Sequence, residues 1–116
     1  IELSLSKISS AEKGWRMIPA KKGKPSTTDW RVVAEHEGLA LVEFRPATGR
    51  THQIRVHAAS GIGIALLGDP VYGERSGALR TMLHASAITV AREGKTDIAA
   101  TSPLPGDFAA LGFAQP

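Results

Sequence analysis

Two β-rich stretches of similar length meet at the pair Glu37-Gly38, and this feature restricts the fold most. Residues 27–36 (Thr-Thr-Asp-Trp-Arg-Val-Val-Ala-Glu-His) and 39–45 are rich in branched and aromatic side chains. A two-residue turn ending in glycine between such runs predicts an antiparallel hairpin. Residues 1–8 alternate apolar and polar like another strand, and residues 14–20 form a second, shorter one. Lys21-Lys22-Gly23-Lys24-Pro25-Ser26 is a loop by its glycine, proline and charges.

Pro46-Ala47-Thr48-Gly49 breaks the strand before it, and residues 51–59 are the helix candidate. Thr51 is placed to cap that helix, Gly61 to end it, and Ile54 and Ala58, four apart, to form its apolar side. Residues 61–73 form a turn-rich connection with a short apolar run at 64–67. Residues 82–91 are expected as a buried strand with 95–100 pairing to it. The Pro103-Leu104-Pro105-Gly106 stretch then stops the sheet, and residues 107–111 make a last helical turn. The order gives an α+β fold with a mixed, largely antiparallel sheet and few helices.

Composition excludes several classes. With 116 residues, 42% hydrophobic and 22% charged, the chain suits one small globular domain or part of one. No apolar run approaches the ~20 residues of a membrane helix. Cysteine is absent, which removes disulfides, thiolate metal sites and a cysteine nucleophile. With no basic-then-apolar leader, the expected setting is cytoplasmic. Six aromatic residues are a thin supply of large core side chains, and the chain starts at Ile1 inside an alternating stretch. Both features lead us to expect an incomplete domain.

Charge is uneven. Residues 1–58 carry +4 and residues 59–116 carry −1. Lys13, Arg16, Lys21, Lys22 and Lys24 follow one another with no acid between them, a run suited to attracting phosphates. The plainer reading is a solvated loop beside two strands.

The densest chemistry is Thr48-Gly49-Arg50-Thr51-His52-Gln53-Ile54-Arg55-Val56-His57. A glycine turn opening a helix presents backbone N–H groups, and Arg50 and Arg55 add cations suited to forked pairing. The cluster is built to hold an anion, either a ligand phosphate or a carboxylate of the protein. A metal reading is weak: His52 and His57 are five apart, about 140° round a helix, and no His-Glu-x-x-His occurs. Hydrolysis by serine and histidine lacks a Gly-x-Ser-x-Gly elbow. Neither phosphate-binding glycine fingerprint is present. Asp69, between Gly68 and Pro70, reads as a turn former, and His84 as a satisfied, partly buried side chain in an apolar strand.

The cluster and its surroundings resemble the RluA family of pseudouridine synthases. The residues that carry the resemblance are Gly23-Lys24 with Thr27-Thr28, then Arg45-Pro46-Ala47 leading into the Thr48–His57 stretch. After these come Leu67-Gly68-Asp69-Pro70-Val71-Tyr72-Gly73, Leu83-His84-Ala85 and Pro103-Leu104-Pro105-Gly106-Asp107-Phe108. The resemblance implies isomerisation of uridine to pseudouridine in structured RNA, ribosomal or transfer, with no cofactor or metal. An aspartate attacks, the N-glycosidic bond breaks, and the uracil turns and rejoins through carbon 5, with the base flipped from its stack.

It also implies that Arg55 pairs with the nucleophilic aspartate and that Leu83 lies beneath the base. Arg50, His52, Gln53, Lys21, Lys22 and Lys24 would support the site or touch RNA. The family's Arg-Leu-Asp-x-x-Thr-Ser-Gly stretch is absent from these residues, as is the tyrosine that stacks on the uracil. The expectation is therefore a C-terminal portion of one catalytic domain, inactive by itself, with an uncovered sheet edge able to self-associate. The alternative is a non-catalytic RNA-binding module.

Overall fold

The computed structural model describes residues 1–12, 14–74 and 77–115; Lys13 of the basic run lies outside them. Six strands, β1 (Leu5–Ser10), β2 (Gly14–Pro19), β3 (Thr28–His36), β4 (Leu39–Pro46), β5 (Ala87–Arg92) and β6 (Lys95–Thr101), pair as three antiparallel hairpins. Among the described residues two short α-helices, α1 (Gln53–Val56) and α2 (Gly106–Ala110), and a π-helical segment His57–Ile62 complete it. The antiparallel architecture is as expected. One continuous sheet is not present among the described residues: each ladder has two strands, and single bridges Glu2–Thr27 and Leu5–Lys24 tie the start of the chain to the segment leading into β3.

The Glu37-Gly38 turn takes φ of 48° and 79°. Positive φ at both central residues matches the twist of the flanking strands, which is why glycine is needed there. The register sets Trp30 opposite Phe44 and Val32 opposite Val42, with an irregularity before Ala34.

Two expectations fail. The helix predicted over 51–59 is one α-helical turn, α1, followed by a π-helical segment His57–Ile62 that ends at Gly63 rather than Gly61. Thr51 makes no cap; the residue at the helix start is His52, in a left-handed conformation with φ 52°. The strand predicted over 82–91 begins only at Ala87 and is exposed along its whole length. Its apolar sequence was read as burial, but nothing among the described residues covers it.

Burial concentrates elsewhere. Leu5, Met17 and Val56 form the core, with Tyr72 packed against it. Beside them His57 is fully buried and bonded at both nitrogens. Its Nε2 lies 3.0 Å from the Leu3 carbonyl, which can only accept, so Nε2–H donates there; in the neutral ring Nδ1 then accepts the Thr28 hydroxyl at 2.8 Å. The Gln53 amide nitrogen donates to Thr28 Oγ1 and to the Thr27 carbonyl, both at 2.9 Å. This polar weld fixes α1 against the first residues of β3.

Candidate active site

The Thr48–His57 stretch does hold an anion, and the anion is a carboxylate of the protein. Arg55 Nε donates to Asp69 Oδ2 at 2.9 Å and Nη2 to Oδ1 at 2.8 Å. Asp69 is fully buried and the Arg55 side chain is 18% exposed. Asp69 Oδ1 also accepts the amides of Val71 and Tyr72. Burial alone would push this carboxyl up, but the Arg55 guanidinium and the two amides outweigh it and hold it below its ordinary value. Asp69 is thus the turn former expected and also an ion-pair partner that spacing did not reveal, since 14 residues separate it from Arg55. Gly68 makes the turn possible: its φ is 79°, and a Cβ there would collide with the Arg80 carbonyl.

The third Arg55 contact runs from Nη1 to His52 Nε2, 3.0 Å away. His52 Nδ1 lies 2.8 Å from Tyr72 Oη. Burial first, then the neighbouring Arg55 charge, lowers the His52 pKa against a smaller opposing pull from Asp69. The Arg55 guanidinium also sits over the Tyr72 ring, 5.1 Å from its centroid. Sequence reasoning passed over Tyr72 and Trp15 at this site; the Asp69-to-Tyr72 spacing within one turn was the available signal.

Arg55 and Leu83 line one cavity of about 370 Å³ with Arg50, His52, Gln53, Pro46, Thr48 and Ile54 around it. Leu83 is 37% exposed and lies in a segment without regular structure before β5 rather than within a strand. His84, as expected, is partly buried and satisfied by the Ser102 carbonyl. Arg50 is held by its Nε on the Pro25 carbonyl at 3.0 Å, which brings the Lys21–Lys24 loop next to the cavity rim. Lys21, Lys22 and Lys24 are exposed and do not line the cavity.

Two of the residues expected to support the site or touch RNA are tied up within the protein. Gln53 is buried, and its amide is spent within the protein: Oε1 accepts the Thr48 hydroxyl and the Arg50 amide, and the nitrogen is already committed. The same bond satisfies an amide that was expected to face a ligand. His52 has both ring nitrogens engaged, so it too has no free atom for RNA. A second concavity, by Asp29, Trp30, Arg31, Glu43 and Arg45, carries two arginines that both bond Glu43. Among the described residues no three His, Asp or Glu side chains converge as metal ligands would, and no helix is long and apolar enough to cross a membrane.

Residues 2–60, which contain the Thr48–His57 stretch, match the family model for RNA pseudouridylate synthase. The chain belongs to this family. An uncharacterized RNA pseudouridine synthase of Zymomonas mobilis is 50% identical over 115 residues, covering 97% of this chain and 52% of that protein. Ribosomal large subunit pseudouridine synthase D of Nitrosomonas europaea is 40% identical over 107 residues, covering 83% of this chain and 31% of its own length. Ribosomal large subunit pseudouridine synthase C of Salmonella typhi is 38% identical over 90 residues, covering 68% and 28%. The chain therefore spans about half or less of the pseudouridine synthases it matches. The resemblance drawn from the sequence is the family found.

Proposed function

We propose that this chain is the C-terminal portion of a cytoplasmic pseudouridine synthase domain that isomerises uridine in structured RNA, ribosomal or transfer. The nucleophilic aspartate comes from polypeptide outside these 116 residues. The observation that carries this reading is the shared cavity of Arg55 and Leu83, residues 28 positions apart that both line it. A cavity of about 370 Å³ is of the size that takes a small ligand group.

Of the five guanidinium N–H groups, three are used on Asp69 and His52. The other two have no acceptor among the described residues and are available to a second carboxylate. A cation beside that carboxylate keeps it ionised and aimed as a nucleophile. Leu83 offers an apolar surface to the face of the base, and Arg50 with Lys21, Lys22 and Lys24 meets the phosphates around it. By this reading the 116-residue chain alone has no turnover.

The test uses the protein together with the polypeptide that supplies the aspartate. Arg55→Ala is expected to lower turnover about a hundredfold or more, with RNA affinity nearly unchanged. Full activity in that variant, or robust turnover by the 116-residue chain alone, rejects the assignment. One observation favours a second reading, a non-catalytic RNA-binding module: Arg55 already has a complete carboxylate partner in Asp69. In that case RNA binding falls steeply with salt while Arg55→Ala affects binding rather than turnover. We also propose that the uncovered β5–β6 hairpin lets the isolated chain self-associate. A monomeric mass across a wide concentration range by sedimentation would count against this.

A further inference from the structure

Following donors and acceptors outward from Arg55 fixes the state of one neighbouring ring. A guanidinium only donates, so the 3.0 Å contact from Nη1 makes His52 Nε2 an acceptor. The ring hydrogen is then on Nδ1, and Tyr72 Oη at 2.8 Å accepts it. Tyr72 Oη also accepts the Met17 amide at 3.0 Å, and the Tyr72 ring packs on the core. Trp15 stacks on His52 with centroids 4.9 Å apart and planes 21° apart, and Tyr72 meets it edge-on at 5.5 Å. The backbone of His52 is held at φ 52°, a conformation that non-glycine residues adopt rarely.

We propose that His52 is a positioning residue for Arg55: its neutral ring, wedged between Trp15 and Tyr72, holds Nη1 while Asp69 holds Nε and Nη2, giving the guanidinium one orientation in the cavity. The use of that orientation in catalysis rests on the function proposed above; the positioning itself does not. Protonating His52 would set donor against donor at Nη1 and break the contact. The groups that bear on this are Arg55, on the same helical turn, Asp69 behind it, Tyr72 from the turn after Asp69, and Lys7 of β1, whose Nζ lies 4.6 Å from the Trp15 ring centroid. Burial and Arg55 oppose protonation.

Nitrogen-15 NMR of the 116-residue chain tests this. At neutral pH His52 is expected as the Nδ1–H tautomer, and Arg55 should give separate Nη1 and Nη2 signals, the mark of a guanidinium that does not rotate. His52→Phe keeps a flat ring between Trp15 and Tyr72 but removes the acceptor, and should speed that rotation at least about tenfold, the effect of one charge-assisted hydrogen bond. His52→Gln, whose side-chain oxygen can accept, should recover most of the loss. Unchanged rotation in His52→Phe overturns the proposal.

Should that variant fail to fold, acid titration of the unsubstituted chain decides. The Arg55 Nη signals should merge with the midpoint of His52 protonation; signals that stay fixed through it, or an Nε2–H tautomer at neutral pH, overturn it equally. In the enzyme carrying the aspartate, His52→Phe should lower kcat about tenfold with KM for RNA unchanged. Full kcat in His52→Phe where Arg55→Ala is dead removes the positioning role from catalysis. An Arg55→Ala enzyme that stays active instead removes the functional reading and leaves the NMR result standing.

Discussion

The stretch from Thr48 to Tyr72 and the β5–β6 hairpin are held in opposite ways. The first contains one α-helical turn and a π-helical segment, and it is fixed from outside by side chains whose partners lie 25 to 54 residues away along the chain. The second is regular but has Ile88, Val90 and Ile98 exposed on one face, the last two paired across the strands. A two-stranded hairpin without a covered face is marginal in water. The overall size agrees: the radius of gyration is 15.6 Å, against about 13 Å for a compact chain of this length. Burial in this molecule follows the polar cross-links and the small core beneath them, and regular secondary structure is no guide to it.

Breaking the Arg55–Asp69 pair should have the largest effect. Asp69→Ala leaves a mostly buried guanidinium with no carboxylate and two amides without their acceptor. Removing one member of a buried pair costs about 3–5 kcal/mol, so urea unfolding of the variant should show its midpoint collapse. A midpoint near that of the unsubstituted chain would mean that the pair contributes little to holding this region.

Next comes Thr28→Val, which keeps shape but strips the hydroxyl shared by His57 and Gln53. Leaving His57 Nδ1 and one of the two Gln53 amide hydrogens without a partner should cost about 1–3 kcal/mol by the same measurement. Because the weld joins α1 to the start of β3, the loss should also speed amide exchange at Val56 and His57.

Acid should act on the same region in two steps. The folded pKa of His52 is lowered, so its contribution is complete above its unfolded value and fades as pH falls through the lower folded one. Asp69 is lowered too, so its contribution persists further and is lost only below the usual carboxylate range. Stability against urea should therefore decline from mildly acidic pH and decline again in strong acid. His52→Gln is expected to remove the first decline and leave the second.

These contacts mark the limit of what the sequence carried. The hairpins were legible because alternation and the Glu37-Gly38 turn are local signals. The Thr48–His57 cluster was legible by density, and its need for an anion followed from two arginines beside a glycine turn. The identity of the anion was not, since Asp69 comes to Arg55 only through the turn that Gly68 permits. For Gln53 and His52 the resemblance left two roles open, support of the site or contact with RNA, and the sequence could not choose between them. Their burial depends on Thr28, Tyr72 and Trp15, none of which is close in sequence. The helix expected over 51–59 differs at its start, where His52 is left-handed and Thr51 makes no cap, and in type from residue 57, where hydrogen bonding widens to the π form and runs on to Ile62.

The smallest effect is expected in the β5–β6 hairpin, and it sharpens the comparison most. Val90 and Ile98 face each other across the ladder at 45% and 50% exposure. In the isolated chain, at a dilution where it is monomeric, replacing both with threonine keeps β-branching and removes little buried surface. The change in stability should stay within about 0.5 kcal/mol, as for surface sites free of caps or buried contacts. Amides of β5 and β6 should exchange far faster than those of Val56 and His57, since opening the hairpin exposes almost no apolar area. A cost well above this, or slow exchange in β5 and β6, would mean that the apolar face is covered in solution. If the cost also grows with protein concentration, the cover is a second copy of the chain.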